Sequence, residues 1–229
     1  MKQLISFCHI PKTGGVSFES ILKNNLANRY YRFSEYKHPY GDLFQKYKNG
    51  CGELEAIGGH YNWNFPFECG LFDDRDIKPI VFLRDPVLRS LSFLYFSNEQ
   101  FHDDPLKYFS DTTNGDWKYR SNTMVKFLAG IDRTPNAFDL AVSKDRLKRS
   151  YVGFQESFDV DLKNLQELYP DVFKSIEYEY KNKTKVDWHS ISHSMEVINQ
   201  IVAVNEWDLK LWEWVKNILI WDRFKGGVK

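Results

Sequence analysis

Apolar and polar residues are distributed along the chain in a pattern that predicts strands followed by helices. The first apolar run covers residues 4–8 and is typical of a strand buried in a parallel sheet. Behind it, apolar residues recur at the spacing of one helix face: Phe18, Ile21, Leu22 and Leu26. The stretch between them, residues 9–17, is therefore predicted to be a turn from a strand into a helix.

Further apolar runs predict more strands and a helical last third. Strands are expected at residues 29–33, 54–57 and 78–83, and from Tyr151 onwards. Helical spacing dominates the last third, most clearly between Trp207 and Leu219. This pattern and the length of 229 residues predict one α/β domain that spans residues 1–229.

The turn of residues 9–17 reads His-Ile-Pro-Lys-Thr-Gly-Gly-Val-Ser and combines features that bind an oxyanion. Its two glycines let backbone N–H groups crowd around a bound group, and the following helix directs its positive dipole end at the same place. Lys12 adds a full positive charge, and Thr13 and Ser17 add hydroxyl donors. The turn is therefore predicted to be an oxyanion site, with phosphate as the favoured occupant.

This turn differs from the familiar phosphate loop of nucleotide-binding enzymes. In the pattern GxxxxGK[ST] the lysine follows the last glycine, whereas Lys12 precedes Gly14 and Gly15, and the pattern occurs nowhere in the chain. Pro-Lys-Thr-Gly-Gly-x-Ser directly after a strand instead resembles the 5′-phosphosulfate loop of sulfotransferases, which use 3′-phosphoadenosine-5′-phosphosulfate (PAPS). The longer stretch His-Ile-Pro-Lys-Thr-Gly-Gly is most similar to the carbohydrate sulfotransferases that include the heparan sulfate 2-O- and 6-O-sulfotransferases. Taken alone, a glycine turn with an incidental lysine is the alternative.

A second candidate follows the strand expected at residues 54–57. There the chain continues with two glycines and His60, which places His60 at the carboxyl end of a strand, where parallel α/β sheets bind ligands. In the sulfotransferases that the turn resembles, a Gly-His between the two cofactor motifs supplies the catalytic base, and a histidine pKa near ~6.5 suits that role. The alternative is a structural histidine that hydrogen-bonds a loop. Trp63, Asn62 and Asn64 are candidates for lining the acceptor cleft.

A third candidate follows the next predicted strand and reads Arg84-Asp-Pro-Val-Leu-Arg89-Ser-Leu-Ser92. Asp85 is a good helix cap and Pro86 suits the first helical turn, so a helix is predicted to start here. The stretch resembles the 3′-phosphate motif of sulfotransferases, in which the arginine and the serine hold the 3′-phosphate, because a guanidinium fork matches phosphate oxygens. Arg89 also fits the motif and either reaches the cofactor or braces the loop. A capped helix with a surface arginine is the alternative, but it does not explain two such motifs in this order, each after a strand.

The resemblance implies a P-loop-like three-layer fold, with a central parallel sheet flanked by helices, and sulfuryl transfer from PAPS to an acceptor hydroxyl. The residues that it assigns to the cofactor are Lys12, Thr13, Gly14, Gly15, Val16, Ser17, Arg84, Arg89 and Ser92. His60 would take the acceptor proton, and Lys12 would stabilise the charge that builds on the departing 5′-phosphate. No metal is required, and the family-level acceptor is a sugar hydroxyl. Val16 departs from the family, which usually has threonine there and so a further hydroxyl donor.

Charge and composition exclude several classes of protein. With 31 lysines and arginines against 31 aspartates and glutamates, the net charge is +0, which argues against a non-specific nucleic-acid binder. The 3 cysteines lack the paired spacing of a disulfide framework or a zinc site and favour a reducing compartment. No long apolar segment follows Met1, so we expect no signal peptide, no membrane span and a cytoplasmic location.

Weaker candidates and two rival functions stay open at this point. His102, Asp103 and Asp104 imitate a metal cluster, but no second set of ligands completes it. Asn122 lies in a stretch, residues 120–130, that resembles an active-site helix of the same family, with an ordinary amphipathic helix as the alternative. The lysines between Lys181 and Lys185 are reserve contacts for an anionic acceptor. The rivals are a P-loop-type nucleotide kinase and a non-catalytic nucleotide-binding relative that binds the cofactor without turnover.

Overall fold

The computed structural model of the protein describes most of the chain. The described residues are 1–33, 54–97, 99–111, 117–178 and 193–219. The lysines between Lys181 and Lys185 lie outside them. Within the described part, no helix is both long and apolar enough to cross a lipid bilayer.

The chain divides into two compact units. Unit 1 comprises Met1–Arg84 and Arg146–Lys183, and unit 2 comprises Asp85–Asp145 and Thr184–Lys229. A single functional domain over residues 1–229 stays a prediction from the sequence.

Unit 1 is built on a five-stranded sheet in which every neighbouring pair of strands is parallel. The strands are β1 (Lys2–Cys8), β2 (Tyr30–Phe33), β3 (Ala56–Gly59), β4 (Arg75–Leu83) and β5 (Tyr151–Phe154). They follow the apolar runs because a parallel sheet is covered by other elements and buries both faces of its strands. The expected α/β fold with a central parallel sheet flanked by helices is confirmed.

The strand order is β2-β3-β1-β4-β5, so the chain leaves β1 on both sides. It builds β2 and β3 on one side of β1 and then β4 and β5 on the other. The carboxyl end of β1 is therefore the topological switch point, which is where open α/β sheets bind their ligands. Cys8, the last residue of β1, pairs with Gly59 and with Val81, so the three neighbouring strands end at nearly the same edge.

Helices fill most of the remaining described chain and dominate its last third. In chain order the α-helices are α1 (Gly15–Leu26), α2 (Phe65–Glu68), α3 (Pro86–Ser97), α4 (Pro105–Ser110), α5 (Trp117–Arg120), α6 (Thr123–Ala129), α7 (Ala137–Lys148), α8 (Phe158–Leu168), α9 (Met195–Val204) and α10 (Glu206–Trp214). A π-helical turn, Val215–Leu219, continues α10. The expected helical last third is confirmed for the residues that the structure describes.

The core of unit 1 forms where α1 and α8 pack on the sheet. The four apolar residues predicted to share one face of α1 are all buried here, together with side chains of β1, β4 and α8: Ile5, Phe7, Ile80, Phe82, Phe158, Leu162 and Leu165. Gly153 of β5 allows this packing, because a Cβ at this position would lie 2.4 Å from the ring of Phe82. The packing fixes α1 against the sheet, and residues 9–14 connect the end of β1 to its first turn.

Unit 2 joins its helices through an apolar core and a buried polar network. Asp85 caps α3, since its Oδ1 accepts the N–H groups of Val87 at 2.9 Å and Leu88 at 3.1 Å, as the sequence predicts. The apolar core combines side chains from α3, α4 and α9: Leu91, Leu94, Tyr95, Tyr108, Phe109, Val197 and Ile201. These contacts join α9 to two helices that lie more than 80 residues earlier in the sequence.

The polar network of unit 2 makes α6 and α10 cap each other. Oδ1 of Asn122 accepts the N–H groups of Trp207 at 2.8 Å and Asp208 at 3.2 Å, at the start of α10. In return, the buried carboxylate of Asp208 accepts the N–H groups of Met124 at 3.0 Å and Val125 at 2.8 Å, at the start of α6. Each helix start thus obtains the acceptors that its first N–H groups lack within the helix.

Candidate anion-binding and catalytic site

Three predicted site segments of unit 1 follow three neighbouring strands. The turn of residues 9–17 follows β1, His60 follows β3 and Arg84 follows β4. Hydrogen bonds connect them: Nδ1 of His60 lies 2.7 Å from the carbonyl oxygen of His9, and Nη1 of Arg84 donates to the carbonyl oxygen of Lys12 at 3.3 Å. The register of the sheet therefore brings the predicted base and one predicted phosphate ligand to the predicted oxyanion turn.

The turn itself has a tightly fixed backbone. Lys12 has φ of 69° and Gly14 has φ of 90°, both in the left-handed region. The fully buried Thr13 donates its hydroxyl to the carbonyl oxygen of Ile10 at 2.8 Å, which holds the turn. Among the described side chains, none caps the start of α1, so the first N–H groups of this helix are open to a ligand as far as these residues go.

The second glycine of the turn is required by a close approach. A Cβ at Gly15 would lie 2.0 Å from Cδ2 of His9, which no rotamer change of the buried His9 ring relieves easily. The next residues of α1 differ in exposure: Val16 is half-buried, and Ser17 is 7% exposed. Among the described residues, no group makes a hydrogen bond with the Ser17 hydroxyl, which is therefore available as a donor.

Lys12 and Arg84 bring two cationic side chains to this turn. Burial, together with the nearby Arg84 charge, lowers the pKa of Lys12 from 10.5 to about 8. Both effects disfavour the protonated amine, and a bound anion would favour it and raise the pKa again. The turn is thus a site whose charge state responds to an anion.

His60 is held in the form that a general base needs. A carbonyl oxygen only accepts hydrogen bonds, so the contact with His9 assigns the ring proton to Nδ1 and leaves the lone pair on Nε2. Burial and the charge of His9 lower the pKa of His60 from 6.5 to about 4, although Glu19 and the hydrogen bond oppose this. His60 is therefore neutral at pH 7, with Nε2 as the basic nitrogen.

The structure adds residues that sequence reasoning did not assign to the site. The ring of His9 stacks on that of His60, with centroids 4.1 Å apart and planes inclined by 29°. Nδ1 of His9 lies 2.9 Å from Oε1 of Glu19, and Nε of Arg32 donates to Oε2 of the same carboxylate at 2.6 Å. A sequence signal did exist for Glu19, which is a charged residue beside the apolar face of α1, directly behind the turn.

Two predicted cofactor residues, Arg89 and Ser92, belong to unit 2, on α3. Ser92 is 5% exposed, and its part in holding a phosphate stays a prediction. The guanidinium of Arg89 is fully buried and donates to the carbonyl oxygen of Tyr119 at 3.1 Å and to Oγ of Ser90 at 3.3 Å. These contacts are of the bracing kind, and a contact of Arg89 with the cofactor stays a prediction.

The weaker candidates have structural contacts of their own. Asn122 is part of the mutual cap of α6 and α10. Trp63 is 4% exposed, donates Nε1–H to Oγ of Ser150 at 2.8 Å and lies under the guanidinium of Arg149. Within the described part of the chain, no cluster of three histidine, cysteine or acidic side chains could hold a metal ion.

Because the pKa of His60 is low in the folded protein, this residue makes the stability of the protein depend on pH. Between pH 6.5 and about 4, the unfolded chain protonates His60 more readily than the folded protein does, so the unfolding free energy falls as pH falls. As the pH falls from 7.5 to 4.5, we expect the unfolding free energy of His60→Gln to fall by about 2–3 kcal/mol less than that of the wild type. Urea unfolding at the two pH values measures this difference, and parallel losses in both proteins would contradict it.

Comparison with solved structures shows distant structural similarity, among others to a sulfotransferase. No protein-family model matches the chain, and no curated protein matches it either. The crystal structure of mouse sulfotransferase SULT7A1 complexed with PAP is similar with a TM-score of 0.43 and 16% sequence identity, over 89% of this chain and 64% of that chain. This chain thus spans less than two thirds of that protein. Similarity at this level carries no information on activity, which has to be argued from the site itself.

Proposed function

We propose that the protein is a PAPS-dependent sulfotransferase that moves a sulfuryl group from PAPS to an acceptor hydroxyl. The observation that supports this best is the contact of Arg84 with the Lys12 turn, at the switch point of the sheet and next to His60. The turn offers an anion two cationic side chains and the start of a helix, and His60 offers a base beside it. The sequence resemblance to sulfotransferases at the turn, at His60 and at Arg84 indicates that this anion is PAPS.

The turn of residues 9–17 would hold the 5′-phosphosulfate. The N–H groups at the start of α1, the Ser17 hydroxyl and the Lys12 amine are the donors for its oxygens. Val16 contributes its backbone only. The Arg84 guanidinium suits the 3′-phosphate, because its planar fork can donate two parallel hydrogen bonds to one phosphate group. Ser92 is assigned to the same phosphate by the sequence motif.

In the proposed reaction His60 and Lys12 act at the two ends of an in-line transfer. Nε2 of His60 takes the proton of the acceptor hydroxyl while its oxygen forms the new bond to sulfur. The bond between sulfur and the 5′-phosphate oxygen breaks, and the Lys12 ammonium stabilises the charge on that oxygen as 3′-phosphoadenosine-5′-phosphate (PAP) leaves. The negative charge of the donor counteracts the cations around His60 and raises its basicity when the reaction needs it.

We propose a sugar hydroxyl as the acceptor and a cytoplasmic location. The acceptor follows from the stretch His-Ile-Pro-Lys-Thr-Gly-Gly, which is most similar to carbohydrate sulfotransferases.

The rival nucleotide kinase shares a phosphate-binding turn after the first strand, so it differs most clearly in the nucleotide that it prefers. The cofactor is therefore the first property to test.

The first test measures nucleotide binding by calorimetry. We expect PAP to bind more tightly than AMP, which lacks the 3′-phosphate, and more tightly than ATP. Arg84→Ala should weaken PAP binding by roughly 10- to 100-fold, because it removes a charge-assisted hydrogen bond to phosphate. The matched control is Arg29→Ala, a half-buried arginine at the opposite strand ends, where it pairs with Glu55. Equal or tighter binding of ATP would contradict the sulfotransferase proposal and favour a kinase.

The second test measures turnover of PAPS with a panel of sugar acceptors. We expect Lys12→Ala to lower kcat by roughly 10²–10³-fold, the loss that is typical of one transition-state donor. Lys23→Ala is the control, because Lys23 lies on the same helix with an exposed side chain. Similar losses in both variants would count against the role of Lys12.

A further inference from the structure

A buried set of polar contacts lies behind His60 in unit 1, and the proposed reaction gives it no task. Glu19 of α1 is 6% exposed, and its carboxylate joins His9 to Arg32 through its two oxygens. Burial raises the pKa of Glu19, but the hydrogen bond and charge of His9 and the contact with Arg32 outweigh burial and hold the pKa below its ordinary value. Glu19 is therefore a carboxylate, which only accepts hydrogen bonds.

The ring of His9 is enclosed on all sides by this arrangement. It is 2% exposed and lies between the ring of Phe7, at a centroid distance of 5.4 Å, and the ring of His60. Gly15 leaves the space that the ring occupies, since a Cβ there would overlap with it. With Nδ1 tied to Glu19, the His9 ring is held in one position.

His9 in turn determines the orientation of His60. Its carbonyl oxygen accepts the Nδ1–H of His60, which places the lone pair on Nε2, and its ring stacks on the His60 ring, which sets the plane. A shift of the His9 ring would let the His60 ring turn, which would loosen the hydrogen bond from its Nδ1–H and change the direction of Nε2. The base is thus only as well placed as the histidine behind it.

We propose that His9 and Glu19 form a positioning pair that fixes the tautomer and ring plane of His60. The catalytic meaning of the pair rests on the proposed function, in which His60 is the base. Its structural meaning rests on the contacts alone and can be tested without any acceptor.

Glutamine at position 19 separates this role from simple packing. Glutamine has nearly the shape of glutamate, but it presents one oxygen and one NH₂ group where the native carboxylate accepts from both His9 and Arg32. An amide whose NH₂ group faces Arg32 brings two donors together, and one whose NH₂ group faces His9 requires His9 to change its tautomer. The side-chain volume is kept, but one of the two native contacts is lost or altered.

The experiment is ¹⁵N NMR of the histidine rings, with the His60 signals assigned by their absence in His60→Gln. The wild type is expected to show His60 as the Nδ1–H tautomer, and Glu19→Gln to show a measurable fraction of the Nε2–H tautomer. The Arg32 side chain is 52% exposed, so we expect Arg32→Gln to fold. This variant should show a smaller change in the same direction. Glu55→Gln is the matched control, since it breaks another carboxylate–arginine pair of unit 1 and should leave the His60 signals unchanged. Unchanged His60 signals in folded Glu19→Gln, or in Arg32→Gln if the first variant does not fold, would overturn the proposal.

Kinetics and PAP binding keep this proposal distinct from the proposed function. We expect Glu19→Gln to lower kcat by up to about 100-fold, as a misplaced catalytic group does, while KM for PAPS changes less than the kcat. If the wild type binds no PAP, the proposed function fails, and the NMR result still decides whether His9 and Glu19 position His60. If PAP binds and kcat is unchanged in Glu19→Gln, the catalytic meaning of the positioning pair fails and the sulfotransferase proposal stands.

Discussion

The repulsion between two positive charges at one turn is the constraint on which the rest of the site depends. The Arg84 guanidinium donates a hydrogen bond to the backbone of Lys12. Burial is the main cause that lowers the pKa of the Lys12 amine to about 8, and the charge of Arg84 is the second. The buried Thr13 hydroxyl and the close fit of Gly15 against His9 fix the backbone of the turn and so keep Lys12 beside Arg84. An anion that binds here gains from both cations and relieves their repulsion.

The parallel sheet explains why these groups meet. β1 lies at the centre, and its neighbours β3 and β4 end at nearly the same level, so the residues that follow the three strands share one edge. His60 and Arg84 are 24 residues apart in the sequence, and both contact the turn that follows β1. Geometry of this kind brings a turn with two cationic side chains and a neutral histidine next to each other.

The sequence predicted what depends on local signals and missed what depends on distant partners. Apolar runs predicted the strands, and the Asp85 cap was predicted because a cap is decided within four residues. The sequence could not show that Asn122 caps a helix 85 residues away, so its resemblance to an active-site helix left its role open. Glu19 was missed for the same reason, since its meaning depends on His9 and Arg32, which reach it only in the folded chain.

The central claim, that the Lys12 turn binds the anion, is tested most directly by the protons that accompany binding. Calorimetry of PAP binding at pH 8 in two buffers of different ionisation enthalpy gives the number of protons that are taken up for each PAP bound. Because the pKa of Lys12 is about 8 in the free protein and rises when the anion binds, we predict uptake of about half a proton at pH 8. His60, which is neutral at this pH, should not contribute, and the uptake should vanish in Lys12→Ala. Binding of PAP without proton uptake, or with the same uptake in Lys12→Ala, would contradict the account.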